Sequence, residues 1–296
     1  MTVQREAAIA AFVPEPFFTV QLCADGIELA SQRFPTKETA AAVLNACKNA
    51  GCVMIQTVER KEHSEKPPAL YDLTTLQRDA NRLLGFTAQQ TLDYTQSLYE
   101  KKLVTYPRTD SRYLTENTAP VLEQLVPNAA ALFHVTGEVP VLSQQVVNNQ
   151  KVSDHHAIIP TLTLDSRALE GLSKGELEIL KLISVRLISA VGTPYCFTET
   201  TVTAECAGEI FTFKGKTVAN DGWKGIITQF FPEKGQGQPE PAHMDADAVI
   251  PVSKASIKEG KTTPPRHFTE DLLLQAMETA CADEFPEDAE RKGIGT

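Results

Sequence analysis

Residues 101–114 read KKLVTYPRTDSRYL, with Tyr106 near the centre. Leu103-Val104-Thr105 predicts a short extended run. Pro107 disfavours helical backbone at the residue before it, so Tyr106 is expected on extended backbone. Side chains two apart on a strand share a face at roughly 7 Å spacing, which would set the Tyr106 phenol beside the Arg108 guanidinium. A free phenol ionises only near pH ~10, and a neighbouring cation favours the phenolate. Arginine also binds phosphate oxygens through its planar fork. Around the tyrosine, Lys101, Lys102, Arg108 and Arg112 face one carboxylate, Asp110. Such a patch suits a polyanion. A packed tyrosine at a strand end, among solvated charges, explains the same spacing, and these residues alone leave both readings open.

Working outward, two helices are predicted before this stretch. Thr74-Thr75-Leu76-Gln77 has the capping-box pattern for a helix carrying Leu76, Ala80, Leu83 and Leu84, stopped at Gly85. Thr87-Ala88-Gln89-Gln90 repeats the pattern, for a helix with Ala88, Leu92, Thr95 and Tyr99 on one stripe. Two helices and then a short strand resemble a helix-turn-helix with a wing. Beyond the tyrosine, Thr115 is expected to cap a helix reaching Val126, followed by a proline-punctuated stretch to Pro140. In Val152–Thr161 a polar cluster abuts an apolar run. Adjacent histidines on extended backbone face opposite ways, so at most one of His155 and His156 points into a given site. Either could donate to a phosphate oxygen, or simply cap a buried turn. Ser173-Lys174-Gly175-Glu176 opens a further helix to about Ala190, with Leu177, Leu180, Ile183 or Ser184, and Leu187 inward.

Both flanks read as β-rich. A helix over 1–12 precedes strands at Phe17–Cys23 and Ile27–Arg33, turned at Ala24-Asp25-Gly26. Thr36 then caps a helix from Lys37 to about Asn49, closed by Gly51, and a strand follows over Val53–Lys61. Glu62–Pro68 is expected as a polar linker. After Pro194, a hairpin over Thr198–Cys206 and Glu209–Val218 turns at Ala207-Gly208. Short strands are expected at Trp223–Phe231 and Val249–Ile257, with an exposed loop over Pro232–Asp247. Thr269 caps a last helix. The acidic stretch Asp283–Glu290 follows no metal-ligand spacing and reads as solvated surface. The simplest account is one α+β chain in which a sheet domain is interrupted by a helical one.

At 296 residues there is material for about two domains. With 42% apolar and 22% charged residues the composition excludes wholesale disorder. No apolar run approaches the ~20 residues of a membrane span. The six cysteines form no close pair of the zinc or redox type, and they are expected as reduced thiols. A net charge of -10 argues against a protein that coats nucleic acid, so any such contact must be local.

Taken together, several stretches resemble the type IA DNA topoisomerases, and within them the topoisomerase III-like members. Val104–Ser111 looks like their active-site tyrosine motif. Leu76–Ala80, Leu84–Ala88 and Leu98–Glu100 resemble the segment before it, and Asp154–Thr161 the histidine motif after it. Phe268-Thr269-Glu270 and Gly293–Thr296 match a later pair. The resemblance implies that Tyr106 attacks a phosphate of single-stranded DNA, forms a 5′-phosphotyrosine bond and frees a 3′-hydroxyl, so that resealing needs no ATP. It makes Arg108 the stabiliser of phosphate charge and His155 the histidine near the scissile phosphate. Lys101, Lys102, Thr109, Asp110, Ser111, Arg112 and His156 become candidate DNA contacts.

The resemblance also implies an architecture: a discontinuous β-rich arch over 12–69 and 195–264, a winged-helix-like tyrosine domain over 70–194, and helical remnants of a lower domain over 1–11 and 265–296. Nothing in the sequence corresponds to the family's Toprim domain, with its glutamate, lysine and acidic magnesium cluster. A central fragment, inactive by itself, is therefore expected. Mg2+ would act in the full-length enzyme through ligands outside these residues, and no metal site is expected here. Single-stranded DNA is the expected partner, with no nucleotide and no membrane, in a bacterial cytoplasmic monomer that relaxes negative supercoils or decatenates DNA. A non-catalytic single-stranded-DNA-binding module is the alternative. Tyrosine recombinases and relaxases need spaced arginines or a histidine metal cluster, and neither is found.

Overall fold

The computed structural model describes residues 2–232 and 245–278. In chain order the first elements are α1 (Thr2–Ala10), β1 (Pro16–Ala24), β2 (Ile27–Ser31), α2 (Lys37–Ala50) and β3 (Cys52–Glu65). Then come α3 (Leu73–Leu84), α4 (Ala88–Glu100), α5 (Ala119–Leu132), α6 (Ser166–Glu170) and α7 (Lys174–Ala190). The last are β4 (Tyr195–Cys206), β5 (Glu209–Asn220), α8 (Gly222–Phe230), β6 (Val249–Lys261) and α9 (Glu270–Glu278). They form two compact units. One holds the described residues of 1–64, 196–220 and 234–267, the other those of 65–195, 221–233 and 268–296.

The first unit is a closed barrel in the order β1-β2-β5-β4-β3-β6. Its hairpins follow from turn chemistry. Ala24 pairs with Ile27, and both intervening residues have positive φ, 47° at Asp25 and 78° at Gly26, as a two-residue turn matched to strand twist requires. The same geometry joins β4 to β5, with Ala207 at 53° and Gly208 at 83°. Alternation then sends Val20, Leu22, Leu29, Val53, Ile55, Val202, Phe211 and Phe213 inward. Ala40 and Cys47 of α2 complete that core. Thr36 accepts from the Thr39 N–H and Gly51 closes α2 in the left-handed region, both as predicted. β3 runs to Glu65, so the first residues of the expected linker are strand. Five of the cysteines lie in described residues, and all five are free thiols.

The second unit is built around α7. Sequence periodicity suggests a single inward stripe, whereas α7 is buried nearly all round. Ile179, Leu180, Leu182 and Ile183 enter one core cluster, and Val185, Leu187 and Ile188 another. A helix apolar on all sides is a central helix. Three other expectations need correction. α3 is capped by Asp72, which accepts from the Thr75 N–H, rather than by Thr74. α5 starts at Ala119 and continues through Pro127 to Leu132. Proline removes one hydrogen bond there, but burial of Leu122, Leu125, Val126, Ala129 and Ala130 carries the helix across it. Trp223–Phe231, predicted as a strand, is α8. Trp223, Ile226, Ile227 and Phe230 recur at helical spacing, and the last three pack with the α5–α7 cluster. Most of the expected loop over Pro232–Asp247, the acidic stretch Asp283–Glu290, Cys281 and the Gly293–Thr296 match lie outside the described residues.

A buried charge network ties α3 to α7. Asp79 accepts from the Tyr71 hydroxyl at 2.8 Å and from Arg82 at 2.7 Å, and it pairs with Arg186. The Arg186 guanidinium lies 4.2 Å from the Tyr71 ring centroid. Burial pushes the Asp79 carboxyl upward, but Arg186, Arg82 and Tyr71 outweigh it and hold the group below its usual range. On the other side of α3, Arg78 bonds Asp271 and Glu278 of α9, each at 2.9 Å. Thr269 caps α9 through the Leu272 N–H, as predicted, and Glu270 accepts from the first N–H of α4, at Ala88.

Candidate active site

Tyr106 is delivered by the end of α4. The Thr87–Gln90 capping box starts this helix as the sequence predicts. At its other end Lys102 adopts φ 60°, and the Leu103 N–H reaches back to the Leu98 carbonyl, a Schellman-type reversal. Thr161 and Thr163 hydroxyls then hold the Lys102 carbonyl. The expected strand is reduced to one bridge, Val104 with Pro160, and the backbone from Thr105 to Tyr113 belongs to no strand. Tyr106 and Arg108 therefore do not share the strand face that the sequence suggests. In its place, two loops are laced together by side chains. The Thr105 hydroxyl donates to the Ala157 carbonyl at 3.0 Å, and the Thr109 hydroxyl to the His155 carbonyl at 2.9 Å. The Ser111 hydroxyl donates to the Lys151 carbonyl at 2.7 Å.

This lacing sets three rings side by side. His155 lies against Tyr106 with centroids 4.2 Å apart and planes at 38°, while Tyr99 meets Tyr106 edge-on at 5.5 Å and 80°. The two histidines part as expected of neighbours. His155 is exposed beside the tyrosine, whereas His156 folds back and donates through Nδ1 to the Ala157 carbonyl at 2.8 Å. Tyr106 is half-buried and Arg108 exposed. Sequence reasoning placed Tyr99 on a helix stripe and missed it as a neighbour of Tyr106. The reversal at Lys102 turns the chain back, and nothing in a lysine announces a positive φ.

The candidate DNA contacts divide by environment. Thr109 and Ser111 are each only 4% exposed and are bonded to the loops they hold together. Asp110 accepts from Ser153 at 3.3 Å, and Arg112 donates through Nε to the Leu70 carbonyl. Lys101 is bound at 2.5 Å to Glu176, which also accepts from Ser97. Among the described residues no carboxylate lies within 4.0 Å of the cationic groups of Lys102, Arg108 or Arg112. Thr109→Val should leave a carbonyl and the Ser111 N–H without this partner, and it is expected to cost about 1–3 kcal/mol in urea unfolding.

Glu176 makes the joint between α4 and α7 sensitive to acid. Burial raises its carboxyl pKa, but the Lys101 ammonium, the Ser97 hydroxyl and the Ser173 cap outweigh that and hold it at about 2. A depressed carboxyl stabilises the fold above its unfolded value, and that contribution is lost as pH falls towards the folded value. Stability measured by urea unfolding is expected to fall between pH ~4.5 and ~2, by on the order of 2–3 kcal/mol. Glu176→Gln is expected to flatten that part of the profile. An unchanged profile would show that the joint does not titrate.

The resemblance implies magnesium for the full-length enzyme, through ligands outside these residues. Among the described residues no three His, Cys, Asp or Glu side chains are grouped to hold a metal ion. No described helix is long and apolar enough to cross a membrane.

A sequence model of the DNA topoisomerase family matches residues 1–296. The full-length topoisomerase I of Thermotoga maritima has a similar fold, with a TM-score of 0.72 at 22% identity, covering 94% of this chain and 46% of that one. The chain belongs to the DNA topoisomerase family, of type IA. Within the family it resembles proteins named DNA topoisomerase 3. Those of Bacillus licheniformis and Bacillus subtilis are 37% and 38% identical, and each alignment covers 95% of this chain and 41% of the relative. That of Staphylococcus aureus is 35% identical over 93% of this chain and 39% of its own length. The chain thus spans about two fifths of these relatives.

Proposed function

We propose that these residues carry the strand-cleaving tyrosine of a type IA topoisomerase that relaxes negative supercoils or decatenates DNA. The observation that carries the reading is Tyr106 lying ring to ring with His155, a residue distant in sequence, on loops laced at three points. In this reading the Tyr106 oxygen attacks a phosphorus of single-stranded DNA. A P–O bond to tyrosine forms, the P–O3′ bond breaks, and the departing 3′ oxygen takes up a proton. Arg108 and His155 steady the phosphate oxygens as charge develops. Lys102 and Arg112 attract the strand, Thr109 and Ser111 hold the loop, and Lys101 is committed to Glu176. Reversal of the same step reseals the strand without ATP.

We further propose the division suggested by the family: barrel elements over 12–69 and 195–264 as the arch, 70–194 as the tyrosine domain, and 1–11 with 265–296 as parts of a lower domain. Contacts between α1 and the segment after β6, Arg5 to the Arg266 carbonyl and Glu6 to His267, support the last grouping. A polypeptide of these residues alone is proposed to be silent in cleavage, because the Toprim motifs of the family have no counterpart in its sequence. We propose that the whole protein acts in the bacterial cytoplasm, a reading supported by its similarity to bacterial proteins named DNA topoisomerase 3.

The test is adduct formation on end-labelled single-stranded DNA with magnesium, using the longer protein that contains these residues. A denaturant-resistant adduct that keeps a 3′ label and loses a 5′ label supports the 5′-phosphotyrosine reading. The opposite retention overturns it, and absence of any adduct points to the non-catalytic DNA-binding alternative. Cleavage by the 296-residue chain alone would refute its proposed silence.

A further inference from the structure

We propose that Lys151, seated over Tyr113, is a phosphate subsite for the single strand that Tyr106 cleaves. The inference rests on the reading of Tyr106 given above and extends its binding surface to residues outside the tyrosine motif's cations. The Lys151 ammonium lies 5.0 Å from the Tyr113 ring centroid, and the lysine is exposed. No described carboxylate lies within 4.0 Å of that ammonium. In an acidic chain whose other cations include many that are paired, Lys37, Lys101, Lys181 and Lys224 among them, this one is held by a ring rather than by a carboxylate. An aromatic face restrains an ammonium without neutralising it, so its charge stays available to an anion.

The site is built into the same lacing that positions the nucleophile. Buried Ser111 holds the Lys151 carbonyl, and its oxygen also accepts from the Tyr113 N–H at 3.2 Å. The Tyr113 carbonyl accepts from the Ala157 N–H at 2.9 Å, two residues beyond His155. Lys151 itself precedes His155 by four residues, which limits the separation of their Cα atoms to ~14 Å. A phosphate on Lys151 therefore belongs to the same strand as one held beside Tyr106, within a short run of nucleotides. Arg112 lies next to Tyr113 and adds a second cation. Nearby acids are Asp110, engaged by Ser153, exposed Asp154, and exposed Glu116, whose N–H is bound to Asn149. A chain phosphate flanked by bases suits this cation and ring better than an isolated anion does.

The experiment is binding of a fluorescent oligo-dT strand to the 296-residue chain across a salt series. One lost phosphate contact on a single strand is expected to lower the slope of log affinity against log salt by about 0.7. Lys151→Gln is expected to show that decrease, with affinity about fivefold weaker near 0.1 M salt. Lys151→Arg should keep the slope, and Lys254→Gln on the barrel should leave it unchanged. The idea is overturned by an unaltered slope in Lys151→Gln, by an equal decrease in Lys254→Gln, or by a wild-type chain that does not bind the strand at low salt. Melting curves of each variant check folding, and if Lys151→Gln alone proves unfolded the arginine variant must still bind like wild type. The adduct assay on the longer protein reads Tyr106 chemistry separately, so the two readings fail independently.

Discussion

Replacing Tyr106 by phenylalanine is expected to reduce the DNA adduct of the longer protein to background while leaving strand binding within about twofold. The change removes one oxygen, which makes no hydrogen bond to any described residue. Phenylalanine keeps a ring between Tyr99 and His155, so the edge-on contact and the tilted contact with His155 survive. Stability should change by less than about 0.5 kcal/mol, as for other substitutions that bury no new group and open no cavity. The nucleophile is lost outright, since no neighbouring group carries the phenol to the same place. Tyr99 is the obvious competitor, being a second phenol at 5.5 Å between ring centroids. An adduct that persists in Tyr106→Phe and vanishes in Tyr99→Phe would transfer the role to that residue and end the present assignment.

The second large effect concerns stability. Arg186→Met is expected to destabilise the helical unit by about 3–5 kcal/mol, because Asp79 then keeps a buried charge with its main partner removed. The Arg186 side chain is only 13% exposed and that of Asp79 16%, so water replaces little of the lost interaction. Tyr71 loses the guanidinium from its ring at the same time, and its hydroxyl is left to a carboxylate that tends to take up a proton. Combining Arg186→Met with Asp79→Leu removes both charges, and much of the loss should return, since paired apolar replacements of buried ion pairs are often close to neutral. Urea unfolding followed through the helical signal decides it. A single-variant loss below about 1 kcal/mol, or a double variant no better than the single, would show that the network is not what joins α3 to α7.

Much of the local structure was legible. Asp25-Gly26 announced its hairpin because aspartate and glycine are among the few residues that tolerate positive φ, and Gly208 marked the second turn, where Ala207 adopts it too. Thr87 with Gln90, and Ser173 with Glu176, announced helix starts because the unpaired N–H groups of a first turn need those side chains. What misled was any property shared between alternatives. A short apolar run such as Trp223–Phe231 satisfies strand composition and helix spacing alike, and packing in the α5–α7 cluster chose the helix.

The site shows the same division. Its residue types, a phenol, a guanidinium and an imidazole among cations, were written in the sequence. That Lys101 is already matched by Glu176, that Thr109 and Ser111 turn inward, and that Lys151 lies over the Tyr113 ring with no described carboxylate beside it were not. The sequence by itself determined the hairpins, several of the helix caps and the residue types proposed for the site, because these depend on backbone sterics and on neighbours within a few residues. Only the tertiary structure decided which charges remain unpaired and which rings touch, because both depend on contacts between loops far apart in the chain.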